Sequence, residues 1–334
     1  KARDFGSRIR RFESYRPSYG GFLELKIFSG TANQELAKGI VDYLNIPLSS
    51  VKIRRFSDGE ISVRILENVR GMDVFVVQPT IPPSDNIMEL LLIIDALRRS
   101  SAERITAVLP YYGYGRQDKK AEPRVPISAK LVANLIVEAG ANRVLTLDLH
   151  SQQIAGYFDI PVDHLFAASV TIKHMLSIGI HEDNSVLVSP DAGRVVVARA
   201  IAKKIDGNVP IAIVDKRRPA ANEAEVVNII GDVQGKVAVI IDDIVDTGGT
   251  LIGAANAIKS AGAKLVYAYI THPVLSGSSI SKIEASSLDK LIVTDSIPLG
   301  DKKSDKIQVI SVAGLIGEAI MRIHENKSVS SLFI

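Results

Sequence analysis

The feature that most constrains the fold is an alternation of short β-branched runs with amphipathic segments of helix length, beginning at Leu25. Such alternation is typical of α/β proteins with a mostly parallel sheet. Several runs are apolar almost throughout, as expected for strands covered by helices on both faces. We predict strands at residues 73–77, 104–109, 143–149, 185–188, 210–214, 237–241, 265–270 and 290–293. Helices are predicted at residues 86–99, 128–139, 195–205, 250–260 and 313–324.

The domain organisation is predicted from chain length and from an internal repeat. A length of 334 residues is typical of about two domains. Residues 138–150 and 260–272 both contain a helix end, a glycine, a strand and a final histidine in the same register, although any helix–glycine–strand unit would look similar. We predict a first domain at 23–165, joined by the C-terminal helix 312–334, and a second domain at 166–311. Residues 1–22 are basic and rich in serine and aromatics, and are interpreted as a disordered leader or tag.

Composition excludes several classes of protein. The 40 basic and 37 acidic residues leave a net charge of only +3, which argues against a dedicated nucleic-acid binder. The absence of cysteine excludes disulfides, thiolate metal sites and cysteine nucleophiles. The long apolar run at 87–97 is interrupted by Glu89 and Asp95, so no membrane span is expected. The sequence therefore predicts a cytoplasmic enzyme with neither a nucleic-acid nor a membrane partner.

The strongest chemical signal is the segment 242–250, with three aspartates, two glycines and two threonines after a predicted strand. The carboxyl ends of parallel strands border the crevice where open α/β sheets bind ligands. Gly248 and Gly249 permit a tight turn, and the helix start that follows offers N–H groups to an anion. The acids suit sugar hydroxyls and magnesium. These features together predict a ligand such as ribose 5-phosphate, although an aspartate-capped turn is the simpler alternative. A P-loop lysine is missing, which excludes P-loop NTPases.

Further polar segments follow other predicted strands or turns, and each alone could be an ordinary solvated loop. They are Arg55-Phe56-Ser57-Asp58-Gly59-Glu60, Arg116-Gln117-Asp118-Lys119-Lys120, Asp148-Leu149-His150-Ser151, Ser189-Pro190-Asp191-Ala192-Gly193 and Lys216-Arg217-Arg218-Pro219. Together with segment 242–250, which by itself resembles the phosphoribosyl-binding motif of type I phosphoribosyltransferases, they occur in a characteristic order. From Leu25 to Phe333 the chain resembles the phosphoribosyl diphosphate synthetases (ribose-phosphate diphosphokinases) of the class I bacterial type.

The resemblance implies a fold, an activity and an assembly. The implied fold is two tandem type I phosphoribosyltransferase-like domains, each a mostly parallel sheet flanked by helices. The implied activity is transfer of the β,γ-diphosphate of ATP to ribose 5-phosphate, with Mg²⁺ as cofactor. It also implies a homohexamer, with inorganic phosphate and ADP as allosteric effectors.

The same resemblance implies roles for individual residues. The implied catalytic residues are Lys216 and Arg218. Those implied to bind ATP are Phe56, Asp58, Gly59, Glu60, Arg116 and Gln117, with Phe56, Asp58 and Glu60 completing the adenine pocket from a neighbouring subunit. Those implied to bind ribose 5-phosphate are Arg218, Asp242, Asp243, Asp246, Thr247, Gly248, Gly249 and Thr250. The implied metal ligands are His150 and Asp191.

One position departs from the family pattern and keeps two alternatives open. After Pro190-Asp191 the family usually has any residue and two glycines, whereas this chain has Ala192-Gly193-Arg194, and the usually basic position 197 is valine. Arg194 is expected either to bind the diphosphate or, by preference, to repel the metal and obstruct the loop, where a glycine would allow φ > 0 or a close backbone approach to a ligand. A phosphoribosyltransferase that consumes phosphoribosyl diphosphate is one alternative function. A catalytically weak regulatory subunit of a synthetase complex is the other.

Overall fold

The protein is described by a computed structural model that covers residues 23–205, 209–217 and 226–332, without the side chains of residues 216, 217, 226 and 227. The strands are β1 Leu25–Ser29, β2 Val51–Arg55, β3 Ile61–Ile65, β4 Asp73–Val77, β5 Arg104–Leu109, β6 Arg143–Leu147, β7 Val162–Leu165, β8 Ser185–Ser189, β9 Ile211–Arg217, β10 Val226–Ile230, β11 Val237–Val245, β12 Leu265–Pro273, β13 Lys290–Thr294 and β14 Ile307–Ile310. The α-helices are α1 Gln34–Leu44, α2 Asp85–Arg99, α3 Ser128–Ala139, α4 Ala168–Ser177, α5 Val195–Ala202, α6 Gly249–Ser260, α7 Ser279–Ala285 and α8 Ala313–His324.

The first sheet has five parallel strands in the order β1-β4-β5-β6-β7. Side chains of α2 and α3 pack against one face of it, and those of α1 and α8 pack against the other. Helix α8 therefore contributes to the first core although it follows the second sheet in the chain. The strands β2 and β3 form a separate antiparallel hairpin that packs on α2.

The second sheet has seven strands in the order β10-β9-β8-β11-β12-β13-β14. All neighbours are parallel except the edge pair β9–β10. From β8 the chain moves outward to β9 in one direction, whereas from β11 it moves outward to β12 in the other. The crevice between the carboxyl ends of β8 and β11 is thus a topological switch point, where open α/β sheets bind ligands.

Strong amphipathic patterns in the sequence account for the elements that were predicted. Each predicted strand and helix has a counterpart, and the strands at 73–77 and 104–109 and the helices at 128–139 and 313–324 match to the residue. The predicted helix at 195–205 was too long, since α5 ends at Ala202. The hairpin strands, the peripheral strands β1, β7, β10 and β14, and helices α1, α4 and α7 had no specific prediction.

The strands of the first sheet precede residues 166–184 and the strands of the second sheet follow them. The exact domain bounds, 23–165 with 312–334 and 166–311, stay predictions, and the leader at 1–22 lies outside the described residues. Among the residues that the structure covers, no helix is long and apolar enough to cross a membrane.

Candidate active site

The acidic segment lies in the switch-point crevice because β11 continues beyond its neighbour. Pairing with β8 ends at Ile240, whereas pairing with β12 continues to Val245. The sequence predicted a strand end at residue 241, and this was wrong. Asp242 and Asp243 are part of the strand, since β12 supplies backbone hydrogen-bond partners that outweigh the low strand preference of aspartate.

Asp243 is almost fully enclosed, with 4% of its side chain exposed. Its Oδ2 accepts a hydrogen bond from Nδ1 of His150 at 2.7 Å, and its Oδ1 pairs with the guanidinium of Arg194. Burial opposes ionisation of this carboxyl, but the contacts with His150 and Arg194 outweigh it and lower its pKa. Asp243 is therefore the more readily ionised member of the acid pair.

The neighbouring Asp242 has 20% of its side chain exposed. Its Oδ1 accepts the backbone N–H of Asp243 at 2.9 Å and lies 3.3 Å from Nε of Arg194. Burial and the adjacent charge of Asp243 raise the pKa of Asp242 above its usual value. Two coupled carboxyls with pKa values displaced in opposite directions are common at functional sites.

Asp246 connects the two halves of the chain. Its Oδ2 accepts a hydrogen bond from Nη1 of Arg116 at 2.7 Å, and its Oδ1 accepts one from the hydroxyl of Ser276. The Ser276 hydrogen bond and the Arg116 guanidinium lower the pKa of Asp246, against a smaller effect of burial. An arginine predicted to contact ATP thus contacts an aspartate predicted to bind the sugar phosphate.

Residues 247–250 form the turn into α6. Gly248 is the N-cap residue, has φ 79° and offers no side-chain acceptor to the first helical N–H groups. Thr247, Gly249 and Thr250 are exposed at the same end. A helix N-terminus with accessible N–H groups and hydroxyls can bind an anion, which fits the predicted phosphate cradle.

Asp191 lies on the opposite side of the crevice, on the turn between β8 and α5. It is exposed, and its Oδ1 accepts the backbone N–H of Arg194 at 3.0 Å. Nδ1 of His150 is already bonded to Asp243, and this contact raises the pKa of His150 against the effect of burial. Among the described residues no three His, Asp or Glu side chains form a metal cluster. The predicted roles of Asp191 and His150 as metal ligands stay predictions.

Arg116 and Gln117 line a cavity of about 210 Å³ at the ends of β4 and β5, together with Thr80, Ser84 and Tyr114. Oε1 of Gln117 accepts a hydrogen bond from the hydroxyl of Ser128. The cavity borders the crevice because Arg116 reaches Asp246 from it. This location is compatible with the predicted ATP contacts.

The hairpin loop 56–60 forms a separate projection. Phe56 is 52% exposed, Gly59 has φ 98°, and the backbone N–H of Glu60 donates to Oδ1 of Asp58 at 3.1 Å. Within the described part of the chain, no hydrogen bond or ion pair joins Phe56, Asp58 or Glu60 to Arg116 or Gln117. Within one chain, these two sets are therefore not joined by such bonds.

The predicted catalytic residues lie largely outside the part of the chain that the structure describes. The backbone of Lys216 belongs to β9, its side chain is not described, and Arg218 lies outside the described residues. Their predicted role stays a prediction.

A set of supporting residues between the sheets was missed by the sequence analysis. Oδ2 of Asp148 accepts hydrogen bonds from Oγ1 of Thr271 at 2.6 Å and from the backbone N–H of Ala167 at 3.1 Å. Nε2 of the buried His272 donates to the carbonyl oxygen of Asp148 at 3.0 Å. These contacts anchor the loop that carries His150. The repeat that ends in His150 and His272 was a signal, but it did not indicate that the second histidine would support the first.

A switch-point crevice that carries an acid pair and the N-terminus of a helix defines the chain as an α/β protein that binds a small ligand at the carboxyl ends of its strands. The model for the N-terminal domain of ribose phosphate pyrophosphokinase matches residues 25–140, and that for the phosphoribosyl synthetase-associated domain matches residues 184–334. The chain belongs to the ribose-phosphate pyrophosphokinase family.

Individual relatives support the same family. The chain is 54% identical to ribose-phosphate pyrophosphokinase of Chlorobaculum tepidum, over 92% of this chain and 95% of that protein. It is 56% identical to the enzyme of the same name from Agrobacterium fabrum, over 92% of this chain and 100% of that protein. The crystal structure of phosphoribosylpyrophosphate synthetase from Mycobacterium smegmatis matches with a TM-score of 0.84 and 42% identity, covering 91% of this chain and 99% of that one. The predicted family, α/β fold and enzyme class are confirmed.

Proposed function

We propose that this chain transfers the β,γ-diphosphate of ATP to the anomeric hydroxyl of ribose 5-phosphate, giving 5-phosphoribosyl 1-diphosphate and AMP. The observation that carries the proposal is the 2.7 Å contact between Arg116, on the cavity of the first sheet, and Asp246, beside the anion cradle of the second. A nucleotide and a sugar phosphate bound at these two places would meet in one crevice. The names of the relatives support the same reaction.

In this reaction the anomeric oxygen forms a bond to the β-phosphorus of ATP, and the bond from that phosphorus to the oxygen bridging to the α-phosphate breaks. The hydroxyl proton is lost and AMP leaves with the bridging oxygen. Most of the charge lies on phosphoryl oxygens, so positioning and charge neutralisation dominate such transfers. Lys216 and Arg218 are the proposed cations for the transferring group.

The sugar is proposed to bind along the segment 242–250. The N-terminus of α6, with Thr247 and Thr250, would hold the 5-phosphate. The carboxylates of Asp242 and Asp246 would accept hydrogen bonds from the ring hydroxyls. The side chain of Asp243 is only 4% exposed, against 20% for Asp242 and 25% for Asp246, so the proposed role of Asp243 is to hold this arrangement rather than to reach the sugar itself.

A magnesium ion fits the donors on the ATP side. Mg²⁺ commonly binds one or two carboxylates together with substrate phosphates, and Asp191 offers an exposed carboxylate. The hydrogen bond from Nδ1 of His150 to Asp243 leaves Nε2 as the candidate ligand atom, which is the usual arrangement for a histidine that binds metal. When bound, the ion would neutralise charge on the phosphoryl oxygens. The homohexamer, the effectors phosphate and ADP, and the cytoplasmic location stay predictions.

The test is to incubate the full chain with ATP, ribose 5-phosphate, Mg²⁺ and phosphate and to follow the products by ³¹P NMR. We expect AMP and phosphoribosyl diphosphate in equal amounts, and no AMP when the sugar is omitted. Formation of ADP would indicate monophosphate transfer, and AMP released without the sugar would indicate hydrolysis. Either result would contradict the proposed function, and complete inactivity would favour the regulatory subunit.

A further inference from the structure

Arg194 occupies a different position from the one expected. Its φ of −91° and ψ of −2° lie in the right-handed region, so its side chain causes no backbone strain at this turn, and the condition for such strain, a left-handed backbone, is not met. The side chain is only 20% exposed. Its backbone N–H donates a hydrogen bond to Oδ1 of Asp191, and this bond fixes the position from which the side chain of Arg194 extends. The residue is therefore built into the crevice.

The guanidinium lies across the acid pair. Its Nε is 3.3 Å from Oδ1 of Asp242, and its Nη2 pairs with Oδ1 of Asp243. Two adjacent carboxylates in an enclosed crevice repel each other and lose hydration. A planar guanidinium has several N–H donors, so it can compensate the negative charge of both carboxylates at once. Without the guanidinium, a metal ion would have to provide this compensation.

The contact leaves room for a ligand on Asp242. The side chain of Asp242 is 20% exposed, whereas that of Asp243 is 4% exposed and is bonded through both oxygens. A sugar hydroxyl can thus approach the exposed part of the Asp242 carboxyl while Arg194 keeps its two contacts. The sugar can therefore bind without displacing the guanidinium of Arg194, and the guanidinium does not need to contact the sugar.

We propose that Arg194 is a built-in counter-ion of the Asp242–Asp243 pair, and that it allows ribose 5-phosphate to bind here without a divalent cation. The inference rests on the proposed function, and it makes Arg194 a positioning residue. Ribose 5-phosphate is an anion, and its approach to two uncompensated carboxylates would be opposed by repulsion. One of the two negative charges is cancelled by a residue already present. Without it, a divalent cation from solution has to supply the compensation.

The test is a titration of the full chain with ribose 5-phosphate by isothermal calorimetry, without ATP, first in EDTA and then in excess Mg²⁺. For the unaltered chain we expect Kd to change by less than about threefold between the two conditions, because the arginine already provides the charge. For Arg194→Gln we expect binding in EDTA to be weaker by roughly tenfold or more, and to recover in Mg²⁺.

Two further variants keep the result interpretable. Arg194→Lys retains the charge and should bind in EDTA much as the unaltered chain does. Arg199→Gln removes an exposed cation from the same helix and should change neither value. Recovery of Arg194→Gln in Mg²⁺ would also show that this variant is folded, and a thermal unfolding curve in Mg²⁺ provides an independent check.

Three results would overturn the inference while the proposed function stands. One is an unaltered chain that binds ribose 5-phosphate only in Mg²⁺. Another is an Arg194→Gln variant that binds equally well in EDTA. The third is an unaltered chain that binds ribose 5-phosphate under neither condition, because a sugar site that forms only after ATP binds gives this result. The AMP assay described above decides the proposed function separately.

Discussion

At the scale of single residues, the acids of the crevice are matched by bases from distant parts of the chain. Asp243 contacts His150 and Arg194, and Asp246 contacts Arg116. Each base comes from a different loop, and none is a sequence neighbour of the acid it contacts. The crevice is thus held in shape by ion pairs before any substrate arrives. Removing one partner of such a pair is more costly here than on the open surface, because a partly buried charge is then left uncompensated.

The first residue-scale prediction concerns Lys216. If it contacts the transferring group, Lys216→Ala should lower kcat by roughly 100- to 1000-fold, as observed when a donor for developing charge is removed. The KM for ATP should change little, since the contact forms mainly in the transition state. The measurement is steady-state AMP formation, with circular dichroism to confirm folding. A folded Lys216→Ala protein with unchanged kcat would remove Lys216 from the mechanism.

The second prediction concerns the buried His272. Burial lowers its pKa below the usual 6.5, so the unfolded chain takes up a proton there before the folded chain does. Stability should therefore fall as the pH drops below about 6.5, by at most about 1.4 kcal/mol per pH unit from this group. His272→Gln should reduce this slope in urea unfolding measured at pH 7.5, 6.5 and 5.5. The exposed His181→Gln is the control, and an equal slope in both variants would refute the prediction.

At the scale of elements, the decisive feature is that β11 extends beyond the end of its pairing with β8. The unpaired side of β11 beyond Ile240 opens the space in which the turn bearing Asp191 and Arg194 approaches the acid pair. Helix α6 then starts directly from the end of this strand, so the acids and the anion cradle lie at opposite ends of one short turn. That separation suits a ligand with hydroxyls at one end and a phosphate at the other.

The element-scale prediction compares the two adjacent glycines of this turn. Gly248 has φ 79°, and a Cβ there would lie 3.2 Å from Cδ1 of Ile252. Gly248→Ala should lower the free energy of unfolding by about 1–2 kcal/mol, the cost of a left-handed residue with a Cβ. Gly249 lacks a positive φ, and a Cβ there meets nothing within 4 Å, so Gly249→Ala is the matched control. Equal stability of the two variants in urea unfolding would show that the turn relaxes.

At the scale of the whole molecule, contacts between the two sheets complete the site. Asp148 of the first half is held by Thr271 and His272 of the second, and α8 returns to pack on α1. The projecting loop 56–60, by contrast, makes none of the described hydrogen bonds or ion pairs with Arg116 or Gln117. Since an exposed aromatic on a projecting hairpin is suited to an interface, the loop fits a role in a second chain's site.

The whole-molecule prediction is complementation between two inactive variants. Glu60→Ala removes the proposed contribution to the neighbour's adenine pocket, and Lys216→Ala removes the proposed catalytic cation. Co-assembled from mixed subunits, the two should recover part of the activity, because some sites would receive an intact copy of both residues. The measurement is AMP formation by mixed oligomers verified with two different affinity tags. Verified mixed oligomers that remain inactive would indicate a site formed within one chain.

The sequence alone was sufficient for the fold class, for most of the long elements and for the segment 242–250, because these depend on periodicity and on local residue type. Periodicity reports which face of an element is buried, whatever it packs against. It could not show that β11 continues through Asp242 and Asp243, since that depends on hydrogen bonds from β12.

Arg194 shows most clearly what only the tertiary structure decided. From the sequence it could have contacted the diphosphate or obstructed the metal. In the fold, the switch point brings the turn after β8 against β11, and the guanidinium lies on the acid pair. The partner of a charged side chain is set by which strands are neighbours in the sheet, and residues 194 and 242 become neighbours only when the strand order of the second sheet is formed.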